Sequence, residues 1–188
     1  MAVYPIVLYG NPILRSKCDN IKIGTDMKGI SEKMFLTMEA SHGVGLAAPQ
    51  VGKNIKMFVA NLEYFGENKY GTTKLVAINP ELEFPEGNEI LEEMEGCLSI
   101  PTLSAKVKRY KYVRIKYCNE NWEYKDEVYE DWCARVIQHE TDHLFQKMYI
   151  DYVEKNTEIN DILQKIKNGE IVPDYDYVQN INNEFNAV

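Results

Sequence analysis

Apolar residues recur every three or four positions in three parts of the chain, which is the spacing of one buried face on an amphipathic helix. The first part covers residues 25–41 and starts with a Thr-Asp pair of the kind that caps helices. Its apolar positions are Met27, Ile30, Met34 and Met38. The second covers 130–146, and the third covers 157–167 and is followed by Asn-Gly, a common helix ending. The pattern predicts an N-terminal amphipathic helix, a later helix and a C-terminal helix.

Short segments rich in β-branched and aromatic residues lie between the first and second predicted helices, bounded by Gly, Pro or Asn. They are IKMFVA, KLVAINP, ELEF, KYVRIKY and EYKDEVY, all within residues 55–129. The preceding SHGVGLAAPQVG, residues 41–52, is rich in glycine and contains a proline, which indicates a loop or an irregular extended segment. The order of helix, strands and helix predicts an α+β fold with antiparallel sheet. No linker, repeat or low-complexity tract interrupts the chain, so residues 1–188 are predicted to form a single domain.

The composition is that of a globular protein, with 188 residues of which 45% are hydrophobic and 27% are charged. An apolar run over residues 3–9 lacks the preceding basic residues and the following cleavage site of a signal peptide. No run reaches the roughly 18 apolar residues of a membrane-spanning helix. These features predict a cytoplasmic protein with no membrane partner. Free thiols or metal ligands are then expected of the four cysteines, Cys18, Cys97, Cys118 and Cys133.

The formal net charge of −8 opposes binding to nucleic-acid backbones, because that affinity comes mainly from Lys and Arg. One stretch is basic, KVKRYKYVRIK at 106–116. Its alternation of cationic and other residues indicates a strand with a solvated cationic face. A nucleic-acid site is the less favoured interpretation, and no specific nucleic-acid partner is predicted.

The segment QHETDHL, residues 138–144, has the residue types of a metal site. His139 and His143 are four residues apart, so on a helix both imidazoles lie on one face and can bind a single ion. Glu140 is placed to act as a general base toward water at that ion. A surface helix can also carry two histidines by chance, so the motif alone leaves both interpretations open.

A catalytic metal site needs a third protein ligand as well as an open position for water. The extended metalloprotease pattern HExxHxxGxxH is absent, because Gln146 and Tyr149 occupy its Gly and last His positions. Glu154 or Glu158 could be the third ligand, as in a zinc endopeptidase. Cys97 in the segment EGCLSIP is another candidate, since the surrounding Gly, Ser and Pro form a turn that can aim a thiolate. Its alternative is a buried, unreactive cysteine.

Three motifs carry a resemblance to a known family. GVGLAAPQ (43–50), EGCLS (95–99) and QHETDHL (138–144) resemble the signature motifs of the peptide deformylases, in the order that the family has them. The resemblance extends from GNPILR (10–15) to IKNGEIVPDYDY (166–177), which is nearly the whole chain. It implies hydrolysis of the N-formyl group from the formyl-methionine of nascent polypeptides, with release of formate, in a cytoplasm of bacterial type.

The resemblance also implies roles for residues at the metal. It implies one divalent ion with three protein ligands, Cys97, His139 and His143. Fe(II) is the favoured ion in the family, and zinc or nickel often replaces it. Glu140 is implied to be the catalytic base and acid. The side-chain amide of Gln50 and the backbone N–H of Leu98 are implied to stabilise the oxyanion.

The implied substrate site consists of Gly43, Val44, Gly45, Trp132 and Val136. The glycines let an extended peptide approach the loop, with Val44 and Gly45 as the edge to which its backbone pairs. Trp132 and Val136 share a helix face with His139 and would form walls of a methionine pocket. Ordinary core packing explains these two residues equally well.

The resemblance pairs Glu95 with Arg109 beneath the metal loop, and it fails at three positions. The family usually has glycine where this chain has Asp131 and Gln146, and many bacterial members have an arginine at the position of Ser104. We expect these departures to affect the helix ends and the affinity for peptide rather than the reaction.

The predicted architecture is α+β, with antiparallel β-sheets packed around a central metal-binding HExxH helix. The implied partners are N-formylmethionyl peptides and nascent chains, with transient association with the ribosome. Two other functions compete with deformylation. One is a zinc endopeptidase, and the other is a non-catalytic metal-binding module that docks on the ribosome.

Overall fold

The computed structural model describes residues 3–62 and 74–173. Within them, three α-helices form: α1 (Lys28–Ala40), α2 (Asp131–Leu144) and α3 (Thr157–Lys167). The strands are β1 (Gly45–Ala47), β2 (Met57–Asn61), β3 (Lys74–Glu83), β4 (Ile90–Cys97), β5 (Ile100–Tyr110), β6 (Tyr112–Cys118) and β7 (Tyr124–Glu130). Short 3-10 helices cover Pro12–Arg15, Ala48–Val51 and Tyr149–Tyr152. The three predicted helices are confirmed, each to within three residues at either end.

The strands form two antiparallel sheets. The larger sheet has the order β1-β2-β3-β6-β7, and β4 and β5 form a separate two-stranded sheet, called here the β4–β5 hairpin. This confirms the mixed α/β fold with antiparallel sheets. The prediction of one strand over 106–116 is wrong, because β5 ends before Lys111 and β6 begins after it. At this residue the chain passes from the hairpin to the larger sheet. There the Lys111 N–H donates to the Glu89 carbonyl, and the Lys111 carbonyl accepts from the Asp131 N–H.

Helix α2 packs against strands β1, β2, β6 and β7 of the larger sheet and against β5 of the hairpin. Its apolar side chains lie in the same buried cluster as those of the larger sheet, among them Ala134, Ile137, Leu144, Val113 and Ile115. Truncating a buried Ile or Leu to Ala typically costs about 2–5 kcal/mol. This core therefore holds α2 firmly in place.

Two of the departures from the family pattern lie at left-handed backbone positions. Asp131, the first residue of α2, has a φ of 53°, and Gln146, two residues beyond its end, has a φ of 61°. Glycine adopts this region without strain, whereas other residues do so at a cost. The helix still runs from Asp131 to Leu144. These departures thus add backbone strain at the two ends of the helix.

The single domain over residues 1–188 stays a prediction, because 1–2, 63–73 and 174–188 lie outside the described residues. The end of the family resemblance, at residues 174–177, lies outside them too. Of the helices in the described part, none is long and apolar enough to cross a membrane.

Candidate metal centre

Cys97, His139 and His143 come together although they lie on different elements. One ligand atom from each falls within 4.8 Å of the other two. Cys97 ends β4 at an irregularity in the hairpin, where the register shifts between Gly96 and Cys97. The two histidines are one turn apart on α2, and the Nε2 atom of His143 lies 3.4 Å from the Cys97 sulfur. Glu154 and Glu158 are both exposed and are not part of this group, so the structure does not support either as the third ligand.

The donor set fits a divalent transition-metal ion. One thiolate and two imidazoles suit zinc, iron or nickel, and three protein ligands leave a coordination position open. The Nδ1 atom of His139 is hydrogen-bonded to Glu95 Oε2 at 2.9 Å, which leaves its Nε2 for an ion. A carboxylate behind a metal-binding histidine is a recurrent arrangement that fixes the ring. The three residues therefore form a possible metal site.

Glu95 lies at the centre of a buried charge network behind His139. The predicted pair with Arg109 forms as a fork, with Nε to Oε1 at 2.9 Å and Nη2 to Oε2 at 3.0 Å. Arg135 donates to the same carboxylate from α2 at 2.7 Å. Burial opposes the charged form, but hydrogen bonds from His139 and Arg109 prevail and lower the pKa of Glu95 to about 2. Glu95 is therefore ionised at neutral pH.

Glu140 is buried beside Cys97, His139 and His143, and one of its carboxylate oxygens is unpaired. Within the described part of the chain, its Oε2 has no hydrogen-bond partner. Burial raises the pKa of Glu140 to about 7. A carboxyl group with such a pKa can both accept and release a proton near neutral pH.

The predicted oxyanion donors, Gln50 and Leu98, both lie next to Cys97. Gln50 accepts from the Ala47 N–H through Oε1 at 2.8 Å, which orients its amide group toward the metal site. Its Nε2 donates to Ser99 Oγ at 3.2 Å and lies 3.3 Å from the Cys97 sulfur. Leu98 follows Cys97 directly in the chain, and Gln50 and Leu98 both line one cavity.

A cavity of about 460 Å³ opens next to Cys97 and His139. It is lined by all five predicted substrate residues, Gly43, Val44, Gly45, Trp132 and Val136, and also by Glu140. Ser104 lies at its wall as well, in place of the arginine that the family resemblance implies. Strand β1, at the edge of the larger sheet, pairs only with β2 among the described strands. Its other edge pairs with no described strand, although the Ala47 N–H bonds to Gln50, so an extended peptide would have to pair nearer Gly45.

The sequence did not lead us to predict a role for three polar residues of α2. Arg135, Gln138 and Asp142 bond to the β4–β5 hairpin through Glu95, the backbone of Tyr110 and Arg109 respectively. Their spacing of three and four residues places them along one side of the helix. A polar stripe next to the histidines was the available signal.

Comparison with known proteins identifies the family. The model of the polypeptide deformylase family matches residues 3–158. A peptide deformylase of Cytophaga hutchinsonii is 43% identical over 152 residues, which are 80% of this chain and 82% of that protein. The crystal structure of peptide deformylase from Thermus thermophilus has a TM-score of 0.79 at 34% identity, with 89% of this chain and 99% of that chain covered. A peptide deformylase from Synechococcus elongatus, solved in complex with actinonin, has a TM-score of 0.76 at 34% identity and covers 87% and 85%. The chain belongs to the peptide deformylase family.

Proposed function

We propose that the chain is a metal-dependent hydrolase that removes the N-formyl group from the formyl-methionine of nascent polypeptides and releases formate. The observation that carries this proposal is the convergence of Cys97, His139 and His143 beside the buried Glu140. A purely structural metal site has no use for a buried carboxylate with a pKa near neutrality. Residues 1–188 are proposed to act as one catalytic domain.

In this proposal Cys97, His139 and His143 hold one divalent ion, and α2 is the central metal-binding helix. When bound, the ion supplies Lewis acidity, which polarises the formyl carbonyl and lowers the pKa of water. Fe(II) is proposed as the native ion, with zinc or nickel as substitutes. The mixed sulfur and nitrogen donors support this group of metals.

Glu140 transfers the proton in the proposed reaction. It takes a proton from the attacking water and passes it to the amine nitrogen when the C–N bond breaks. The amide of Gln50 and the backbone N–H of Leu98 donate to the oxygen that becomes negative in the tetrahedral intermediate. Loss of one such donor typically raises the barrier by about 3 kcal/mol.

The peptide is proposed to pair with the backbone at Val44 and Gly45, where β1 begins, and Gly43 is proposed to belong to the same substrate site. Trp132 and Val136 would contact the methionine side chain. Because backbone pairing reads no particular sequence, this mode suits varied nascent chains. We extend the proposal to transient encounter with the ribosome in a bacterial-type cytoplasm, and to binding of actinonin in the same cavity.

Formate release from formyl-Met-Ala-Ser tests this function. We expect turnover by the wild type and at least a 100-fold lower kcat for Glu140→Ala, in line with general acid–base catalysis. Glu154→Ala, the control at the exposed carboxylate, should keep wild-type activity. Cleavage of internal peptide bonds instead of formate release would favour an endopeptidase. Failure of folded, metal-loaded wild type to release formate would favour a binding module.

A further inference from the structure

We propose that Arg135 is a positioning residue for the metal centre, because it fastens the hairpin that carries Cys97 to the helix that carries His139 and His143. The inference rests on the proposed ligand set. It goes beyond that set by naming a side chain, outside the ligands, that helps to hold the two halves of the site together.

Within residues 3–62 and 74–173, the polar contacts of the Arg135 head group all cross from α2 to the β4–β5 hairpin. Nη1 donates to Glu95 Oε1 at 2.7 Å and to the Val107 carbonyl at 2.9 Å. Nη2 donates to the Leu91 carbonyl at 2.9 Å, and Nε lies 3.3 Å from Glu93 Oε2. The side chain is only 3% exposed. One guanidinium therefore binds both strands of the hairpin from inside the protein.

The contact with Glu95 completes the hydrogen bonding of that carboxylate. A carboxylate offers about four acceptor sites. Arg109 fills two of them, His139 fills one and Arg135 fills the fourth. Arg109 belongs to the same hairpin as Glu95, whereas Arg135 reaches it from α2. Arg135 thereby fixes the carboxylate that orients the His139 ring relative to the helix.

The hairpin needs such an anchor, since a two-stranded sheet alone is marginally stable. Cys97 lies only two residues beyond Glu95, so movement of the hairpin on α2 would carry the thiolate away from the imidazoles. A lysine would not replace Arg135. Its single ammonium group lacks the planar fork that reaches a carboxylate and two carbonyls in different directions.

Binding of Co(II) to metal-free protein tests the inference, with Arg135→Met, Arg135→Lys and the control Arg114→Met. Arg114 is an exposed arginine of β6 that pairs with Asp126, away from the metal group. We expect 10- to 100-fold weaker Co(II) binding for both Arg135 variants, the usual effect of losing an outer partner of a metal ligand. The thiolate-to-Co(II) charge-transfer band should weaken or shift, and Arg114→Met should match the wild type. If Arg135→Met does not fold, Arg135→Lys, which keeps the stem and the charge, decides the outcome.

Unchanged Co(II) affinity and an unchanged charge-transfer band in a folded Arg135 variant would overturn the inference, even if its thermal stability fell. Failure of the proposed function gives a different result. A wild type that binds Co(II) through its thiolate but releases no formate contradicts deformylation and leaves the role of Arg135 in place. A wild type without the thiolate band contradicts the ligand set and, with it, this inference.

Discussion

The backbone at Gly45 passes so close to Glu140 that a side chain there would displace the proposed base. A Cβ atom at this position would lie 2.7 Å from Glu140 Cδ. We predict that Gly45→Ala lowers kcat by about 100-fold or more, the scale of a lost general base, while Co(II) affinity stays unchanged. Gly29→Ala is the matched control, because a Cβ there meets nothing within 4 Å. Steady-state formate release with intact activity in Gly45→Ala would show that Glu140 can act from another position.

Gln146 shows the cost of a departure from glycine. Its φ of 61° places it in the left-handed region, which costs a non-glycine residue about 1–2 kcal/mol. Replacement by glycine relieves this strain, but it also increases the conformational entropy of the unfolded chain, which lowers stability by about 0.5–1 kcal/mol. We predict that Gln146→Gly raises the free energy of unfolding by up to about 1 kcal/mol, measured by urea denaturation. Gln146→Ala should give no such gain, and equal stability of the two variants would exclude backbone strain as the reason.

Single residues were predictable where a chemical motif marked them. The spacing of His139 and His143, with Glu140 between them, indicated a metal site, and the cavity and the cluster now bring these residues together with Cys97. Arg135 was marked only by the polar stripe that it forms with Gln138 and Asp142, which is a weaker signal than this motif. A lone arginine in a helix is usually solvated, and its burial follows from acceptors 28 to 44 residues away along the chain.

At the scale of elements, α2 joins the two sheets by chemically different sides. Apolar residues face the larger sheet, whereas polar residues bond to the hairpin. Gln138 both donates to the Tyr110 carbonyl at 2.7 Å and accepts from its N–H at 3.2 Å. We predict that Gln138→Ala lowers the free energy of unfolding of the metal-free protein by about 1–3 kcal/mol, because Tyr110 loses both partners.

The control for this prediction is Gln164→Ala on the exposed side of α3, where the side-chain amide bonds only to Asn168 in the contacts described. It should change stability by no more than about 0.5 kcal/mol. Urea unfolding curves that gave the same loss for both variants would show that the Gln138 contacts do not hold the hairpin.

Element boundaries were predictable where they depend on local pattern. Periodicity placed all three helices closely, because amphipathic spacing and helix-ending residues are local features. The division of 106–116 between two sheets was not predictable in this way. It depends on the hydrogen bonds that Lys111 donates to Glu89 and accepts from Asp131, residues that come together only when the chain folds.

At the scale of the whole molecule, a buried tyrosine pair should make the fold sensitive to alkali. The hydroxyls of Tyr117 and Tyr129 both donate to Glu127 Oε2 at 2.8 Å. The pKa of each tyrosine lies well above its ordinary value of about 10, mainly because the hydroxyl is buried and also because it bonds to the Glu127 carboxylate. The folded state thus keeps protons that the unfolded state loses. Their contribution to stability is complete below about pH 10 and falls as the pH rises above it.

We therefore predict a shallower alkaline loss of stability in Tyr117→Phe than in the wild type, since one of the two proton-linked groups is gone. Tyr124→Phe, at a side chain that is 64% exposed, should follow the wild-type curve. Unfolding free energies measured between about pH 9 and pH 11 test this. Parallel curves for the wild type and Tyr117→Phe would refute the assignment.

The most direct test of the account is formate release by metal-free protein titrated anaerobically with Fe(II) or Ni(II). If Cys97, His139 and His143 hold one catalytic ion, activity on formyl-Met-Ala-Ser should be absent without metal and rise in proportion to added metal up to one equivalent per chain. Cys97→Ala should stay inactive throughout the titration while remaining folded. Formate release without metal, or full activity of Cys97→Ala, would contradict the account.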